Sequence, residues 1–170
     1  VEQLHQDLQQ QNQHANPKLH FIGHSMGGIL ARLLLHQYDY PNVGRLVMLA
    51  PPNKGTEVVD FMRRFKYYLN RFGPAGQQLG TTEDGIVHKL PKPDYEVGVI
   101  AGSKTREPWF SWTVLRGREN DGKVAVDNTK LDGMQDHVVI PANHRDIVHH
   151  EQAIEQVHHF LQHGRFNKKP

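Results

Sequence analysis

The chain has 170 residues, 20 Lys and Arg against 18 Asp and Glu, a net charge of +2 and 13 histidines; that length suits one domain with its own core. Its basic residues are scattered apart from Arg63-Arg64-Phe65-Lys66 and Lys168-Lys169, which argues against a nucleic-acid partner, because that needs a clustered basic face. With no cysteine there is no disulfide framework and no thiolate nucleophile or metal site, which suits a reducing, cytoplasmic compartment. No apolar run nears the ~20 residues of a membrane-spanning helix.

In chain order, residues 1–11 read as a polar amphipathic helix with Val1, Leu4 and Leu8 on one face. A helical pattern running from a valine at position 1 gives the expectation that the chain begins inside a fold. A loop follows over 13–17, then a first strand over 18–23 and a helix over 28–38, which Tyr40-Pro41-Asn42 ends. A second strand is predicted over 43–50; continuous apolar runs of this kind fit strands buried on both faces. Residues 57–72 read as one long helix with Val58, Phe61, Met62, Phe65, Leu69 and Phe72 along a stripe. Loop-rich sequence over 73–93 leads to a third strand over 95–101. Residues 102–120 read as irregular and aromatic, with Trp109, Phe110 and Trp112 placed to flank a site. A short fourth strand over 137–140 precedes a final helix over 147–163 that buries Ala153, Ile154, Val157, Phe160 and Leu161. Strands alternating with helices predict the α/β class: a mostly parallel sheet of about four strands, flanked by helices, in a single domain over 1–170.

Gly23-His24-Ser25-Met26-Gly27 lies between the first strand and the following helix. The chain has three serines and 15 glycines, so glycine at both flanking positions of some serine has a chance of roughly 0.02 on composition alone. G-x-S-x-G in this setting is the pattern of a nucleophile elbow, a tight bend that projects a serine from the top of the sheet. The two glycines are expected to relieve crowding across the bend, and the helix N-terminus behind the serine favours negative charge. A serine hydroxyl needs a base, and the base needs an orienting acid, in the chain order serine, acid, histidine. Asp121, in Asn120-Asp121-Gly122, and His144, in Asn143-His144-Arg145, fall in that order at the C-terminal ends of strands, where parallel sheets place their sites. Asp127, Asp132 and Asp136 compete for the acid, and His137 for the histidine. His24 reads as a pocket or packing residue whose side chain points away from the serine's partner. His159 and His163 have i, i+4 spacing, but no carboxylate completes a metal set, so neither metal nor cofactor is expected.

The Phe21-Ile22-Gly23-His24-Ser25-Met26-Gly27-Gly28 stretch, the Asn120-Asp121-Gly122 loop and the Asn143-His144 turn resemble those of α/β-hydrolases of the bacterial lipase and esterase kind. Pro52-Asn53-Lys54-Gly55-Thr56 is similar to a Pro-Gly turn of the same enzymes. The resemblance covers nearly the whole chain. It implies a truncated α/β-hydrolase fold that cleaves small-molecule or lipid carboxylic esters through a catalytic triad. Ser25 would be the nucleophile, His144 the base, Asp121 its orienting acid, Met26 N–H an oxyanion donor and His24 a substrate contact. Residues 57–93 fall where these hydrolases carry caps or lids, and Leu, Met and aromatic residues near the strand ends suggest an apolar acyl pocket. Asp146 resembles a calcium ligand of some bacterial lipases, but no second aspartate is identifiable, so no calcium site is assigned. In the family the first strands, and a His-Gly loop that gives the second oxyanion donor, precede the elbow, yet only 24 residues precede Ser25. The expectation is therefore a fragment with Leu19, Phe21 and Ile22 on an open edge, prone to self-association. The rival reading is a non-catalytic or crippled remnant.

Overall fold

The computed structural model describes residues 1–11, 18–65, 73–106 and 108–168. The predicted loop at 13–17, and Leu69 and Phe72 of the predicted stripe, lie outside them, as does the side chain of Phe110. Four strands, β1 (Leu19–His24), β2 (Val43–Leu49), β3 (Glu96–Gly102) and β4 (Asp136–Ile140), form one sheet in the order β1-β2-β3-β4. Every pairing is parallel, with Ile22 opposite Val47, Val47 opposite Gly98 and Ile100 opposite Val138. Parallel neighbours need a crossover, and α2 (Met26–Gln37), α3 (Glu57–Met62), α4 (Ile86–Lys89), α5 (Pro108–Val114) and α6 (Val126–Thr129) lie in those connections, while α1 (Glu2–Gln11) precedes β1 and α7 (Glu151–His163) follows β4.

The two central strands are apolar over residues 46–49 and 97–101 because these stretches feed two cores. Successive strand residues point to opposite faces. Leu46 and Met48 of β2, with Val97 and Val99 of β3, pack on Ile29 and Ala31 of α2 and on Val59, Leu79 and Val87. Val47 and Leu49, with Ile100, pack on the other face against Ile140, Ile147, Ala153, Phe160 and Phe166. Gly98 belongs to this second face: a Cβ there would lie 2.7 Å from the Phe160 ring, so glycine is what lets α7 sit down on β3.

Three expectations change. The long helix over 57–72 stops at Met62, and Phe65 is 48% exposed beyond it. The return segment competes for its polar groups. Asp60 accepts from Thr81 N and Oγ1, and the Arg63 guanidinium donates to the Gln77 carbonyl. The irregular stretch 102–120 contains α5. The final helix is preceded by a separate 3₁₀ turn, Asp146–His149, with His150 extended between the two. Within α7, Ile154 is 56% exposed and Gln156 is buried instead. The C-terminal segment folds back on that face, and the Gln156 amide exchanges hydrogen bonds of 2.9 and 2.8 Å with the Asn167 backbone.

Candidate active site

Ser25 is the hinge between β1 and α2, with φ 53° and ψ −123°, a conformation that non-glycine residues rarely adopt. Its N–H donates to the Leu49 carbonyl at 2.8 Å, which fixes the bend against β2. The glycines act differently from the expectation. A Cβ on Gly23 would meet Gly28 Cα at 2.6 Å, and one on Gly28 would meet Met48 Cε at 2.8 Å, whereas one on Gly27 meets nothing within 4 Å. The crowding across the bend is between residues 23 and 28.

Asp121 sits in the loop after α5, with its side chain wholly buried. Its Oδ1 accepts from Lys123 N (2.9 Å) and Val124 N (2.8 Å). Asn120 braces the turn: its Oδ1 accepts from Gly122 N at 2.8 Å and from the buried Ser111 hydroxyl. His144 follows β4, and its N–H donates to the Asp121 carbonyl at 2.9 Å. The side chains then form one line. His144 Nδ1 lies 2.7 Å from Asp121 Oδ2, and Nε2 lies 3.0 Å from Ser25 Oγ. A carboxylate can only accept, so Nδ1 carries the proton and the neutral ring leaves Nε2 to accept from the serine hydroxyl.

The rival residues are engaged elsewhere. Asp127 pairs with Lys130, Asp132 with Lys92, and Asp136 accepts from Phe166 N and pairs with Lys168. His137 Nε2 bonds to Thr129 Oγ1 at 3.0 Å. His24 does not point away from the serine's partner. Its Nε2–H donates to the His144 carbonyl at 2.8 Å, and the two ring centroids are 4.9 Å apart. Burial pushes its pKa below the ordinary histidine value, and the nearby His144 adds to that. The Pro52–Thr56 turn is structural. Asn53 accepts from the buried Arg32 guanidinium and donates to the Thr129 carbonyl, while Thr56 caps α3.

A cavity of about 700 Å³ opens beside these residues. Its lining includes His24, Asp121, His144 and Val148, with Arg106, Lys123, Arg145 and His149 adding basic side chains. Arg106, Lys123 and Arg145 carry no sequence motif; only their positions beside the two loops could have singled them out. The described part of 57–93 supplies Val59, Leu79 and Val87 to the first core and no residue to this lining. Asp146 is taken by Arg106 and by the Asn143 amide. No group of three or more His, Asp or Glu placed to hold a metal occurs among the described residues. No helix among them is long and apolar enough to cross a membrane.

Residues 2–75 match the family model for the alpha/beta hydrolase fold. No curated protein matches the chain. Solved structures do. The mature Bacillus licheniformis lipase BlEst2 aligns at a TM-score of 0.69 and 19% identity, over 94% of this chain and 70% of that one. The metagenomic carboxyl esterase MGS0156 aligns at 0.60 and 16%, over 75% and 45%. Legionella pneumophila phospholipase PlaB aligns at 0.64 and 17%, over 90% and 45%. The chain thus spans less than half the length of two of the three. The parallel sheet and its flanking helices have the α/β-hydrolase fold that these structures share.

Proposed function

We propose that the chain is a serine hydrolase of carboxylic esters, small-molecule or lipid, that works through an acyl-enzyme on Ser25. The observation that carries this reading is the unbroken hydrogen-bonded line from Ser25 Oγ through His144 to Asp121 at the C-terminal end of the sheet. Ser25 Oγ attacks the ester carbonyl carbon as His144 Nε2 takes its proton. The N–H of Met26, at the first turn of α2 where helix donors lack intrahelical acceptors, receives the developing oxyanion. Asp121 holds Nδ1–H and stabilises the imidazolium. The C–O bond then breaks, His144 returns the proton to the departing alcohol, and the acyl group stays on Ser25. Water attacks the acyl-enzyme with His144 again as base, releasing the acid and the serine hydroxyl. His24, on the cavity wall, contacts the substrate. No cofactor enters any step.

A fluorophosphonate probe, which needs only an activated serine, tests the assignment. Ser25 should be labelled and the Ser25→Ala variant should not; labelling that survives the substitution sinks it. A second reading is a hydrolase-like chain that turns over poorly, the expected result if no second oxyanion donor joins the Met26 N–H. A missing second donor lowers rates by roughly 10²–10³. Normal labelling with only trace hydrolysis of nitrophenyl esters would select it.

A further inference from the structure

We propose that α5 and its flanks form an interfacial anchor that sets the mouth of the Ser25 site against an anionic phospholipid bilayer. Trp109 and Trp112 are 74% and 70% exposed, and they are the only two tryptophans in the chain. Three residues apart, they share one side of the helix. Ser111 and Leu115 are buried, at 2% and 0%, so the helix is seated by one side and offers two indoles on the other. Its seat is the site itself, because the Ser111 hydroxyl donates to Asn120, which braces the turn holding Asp121.

In the sequence around the indoles basic residues outnumber acidic ones. Residues 104–118 contain Lys104, Arg106, Arg116 and Arg118 against a single acidic residue, and Lys104, Arg106 and Arg116 are exposed. Arg106 also lines the cavity, whose rim adds exposed Lys123 and Arg145. An indole has an apolar body and a polar N–H and settles at the headgroup level of a bilayer, while lysine and arginine are drawn to anionic headgroups. Both together, beside the cavity, fit an anionic membrane surface better than a neutral one or a protein face. The inference deepens the proposed function by naming esters presented at such a surface as the substrate class. It rests on that reading for the chemistry, although the anchoring itself does not need Ser25.

Because both tryptophans lie on α5, intrinsic fluorescence reads this surface directly. The Ser25→Ala variant of the whole chain, which leaves vesicles intact, is titrated with phosphatidylglycerol or phosphatidylcholine vesicles, with and without brominated acyl chains. Phosphatidylglycerol should shift the emission to the blue, and brominated chains should quench it. Partitioning to phosphatidylcholine should be weaker on the order of tenfold, and added salt should erase the difference by screening. The paired Lys104→Gln and Arg116→Gln changes should weaken phosphatidylglycerol binding alone, and Trp112→Ser should weaken binding to both. No shift with either vesicle, or an equal shift with both, overturns the proposal. So does a blue shift that grows with protein concentration without lipid, which would mean that a second copy covers the face. Fluorophosphonate labelling of the wild type, run in parallel, separates the two claims: lost labelling with intact binding sinks the hydrolase reading alone, and the converse sinks the anchor alone.

Discussion

Asp121 offers both carboxylate oxygens to fixed donors, two backbone N–H groups on Oδ1 and His144 on Oδ2, and this arrangement dictates what a single-atom change does. In Asp121→Asn the amide oxygen stays with Lys123 N and Val124 N, which turns the amide NH₂ toward His144 Nδ1. That nitrogen must then accept, the proton moves to Nε2, and the ring can no longer take the serine proton. We expect ester turnover to fall by roughly 10³–10⁴, His144→Ala to cost about as much, and the double variant little more, because the residues act as a unit. Steady-state kinetics of the three variants check it; mild, additive losses would point to another acid or base. His24 gives a second prediction. Its pKa is depressed by burial and by His144, with Asp121 opposing, so the unfolded chain binds a proton more readily than the folded one. Stability should therefore fall as pH drops below the ordinary histidine value of 6.5 and level off once folded His24 is protonated. His24→Gln, which keeps a donor for the His144 carbonyl, should flatten the melting midpoint between pH 7.5 and 5. An unchanged slope would assign the loss to other groups, His137 first, since burial also lowers its pKa.

At the scale of elements, α7 separates exposed from buried apolar residues in one helix. Phe160 is fully buried against Phe166 and over Gly98, whereas Ile154 is 56% exposed. Phe160→Ala should cost about 3–5 kcal/mol and Ile154→Gln less than about 0.5 kcal/mol, as read by urea unfolding. The sequence pattern predicts Ile154 inside, and the reason it fails is instructive. What buries Gln156 in its place is the Asn167 backbone, which folds back from beyond the helix and satisfies the amide, and helical periodicity cannot see that partner. The early end of α3 has the same origin, since Thr81 claims the Asp60 carboxylate from 21 residues away. By contrast β2 and β3 are legible because their stretches buried on both faces, 46–49 and 97–101, are continuously apolar. The serine, aspartate and histidine are legible because each sits in a turn whose neighbours are constrained: a strained bend at Ser25, Asn-Asp-Gly at 120–122 and Asn-His at 143–144. The His24 contact with His144 spans 120 positions and leaves no local mark.

For the whole molecule the decisive feature is the order of the strands. β1 pairs with β2 on one side and with no strand among the described residues on the other. Ile22, in its middle, is 56% exposed. An open strand edge offers a row of unpaired N–H and C=O groups to any other chain, and here the apolar side chain beside it adds a hydrophobic contact. We therefore expect residues 1–170 to self-associate in solution through β1, with an average mass that rises with concentration. A lysine at the edge opposes such pairing by charge and solvation, so Ile22→Lys should return the chain toward the monomer. Because Ile22 is already largely exposed, the same change should leave the melting midpoint nearly unaltered. Light scattering coupled to size-exclusion chromatography, run on both proteins over a range of concentrations, decides the matter. A wild-type chain that stays monomeric throughout, or an association that Ile22→Lys does not touch, would place the contact on another surface and leave β1 closed by some other means.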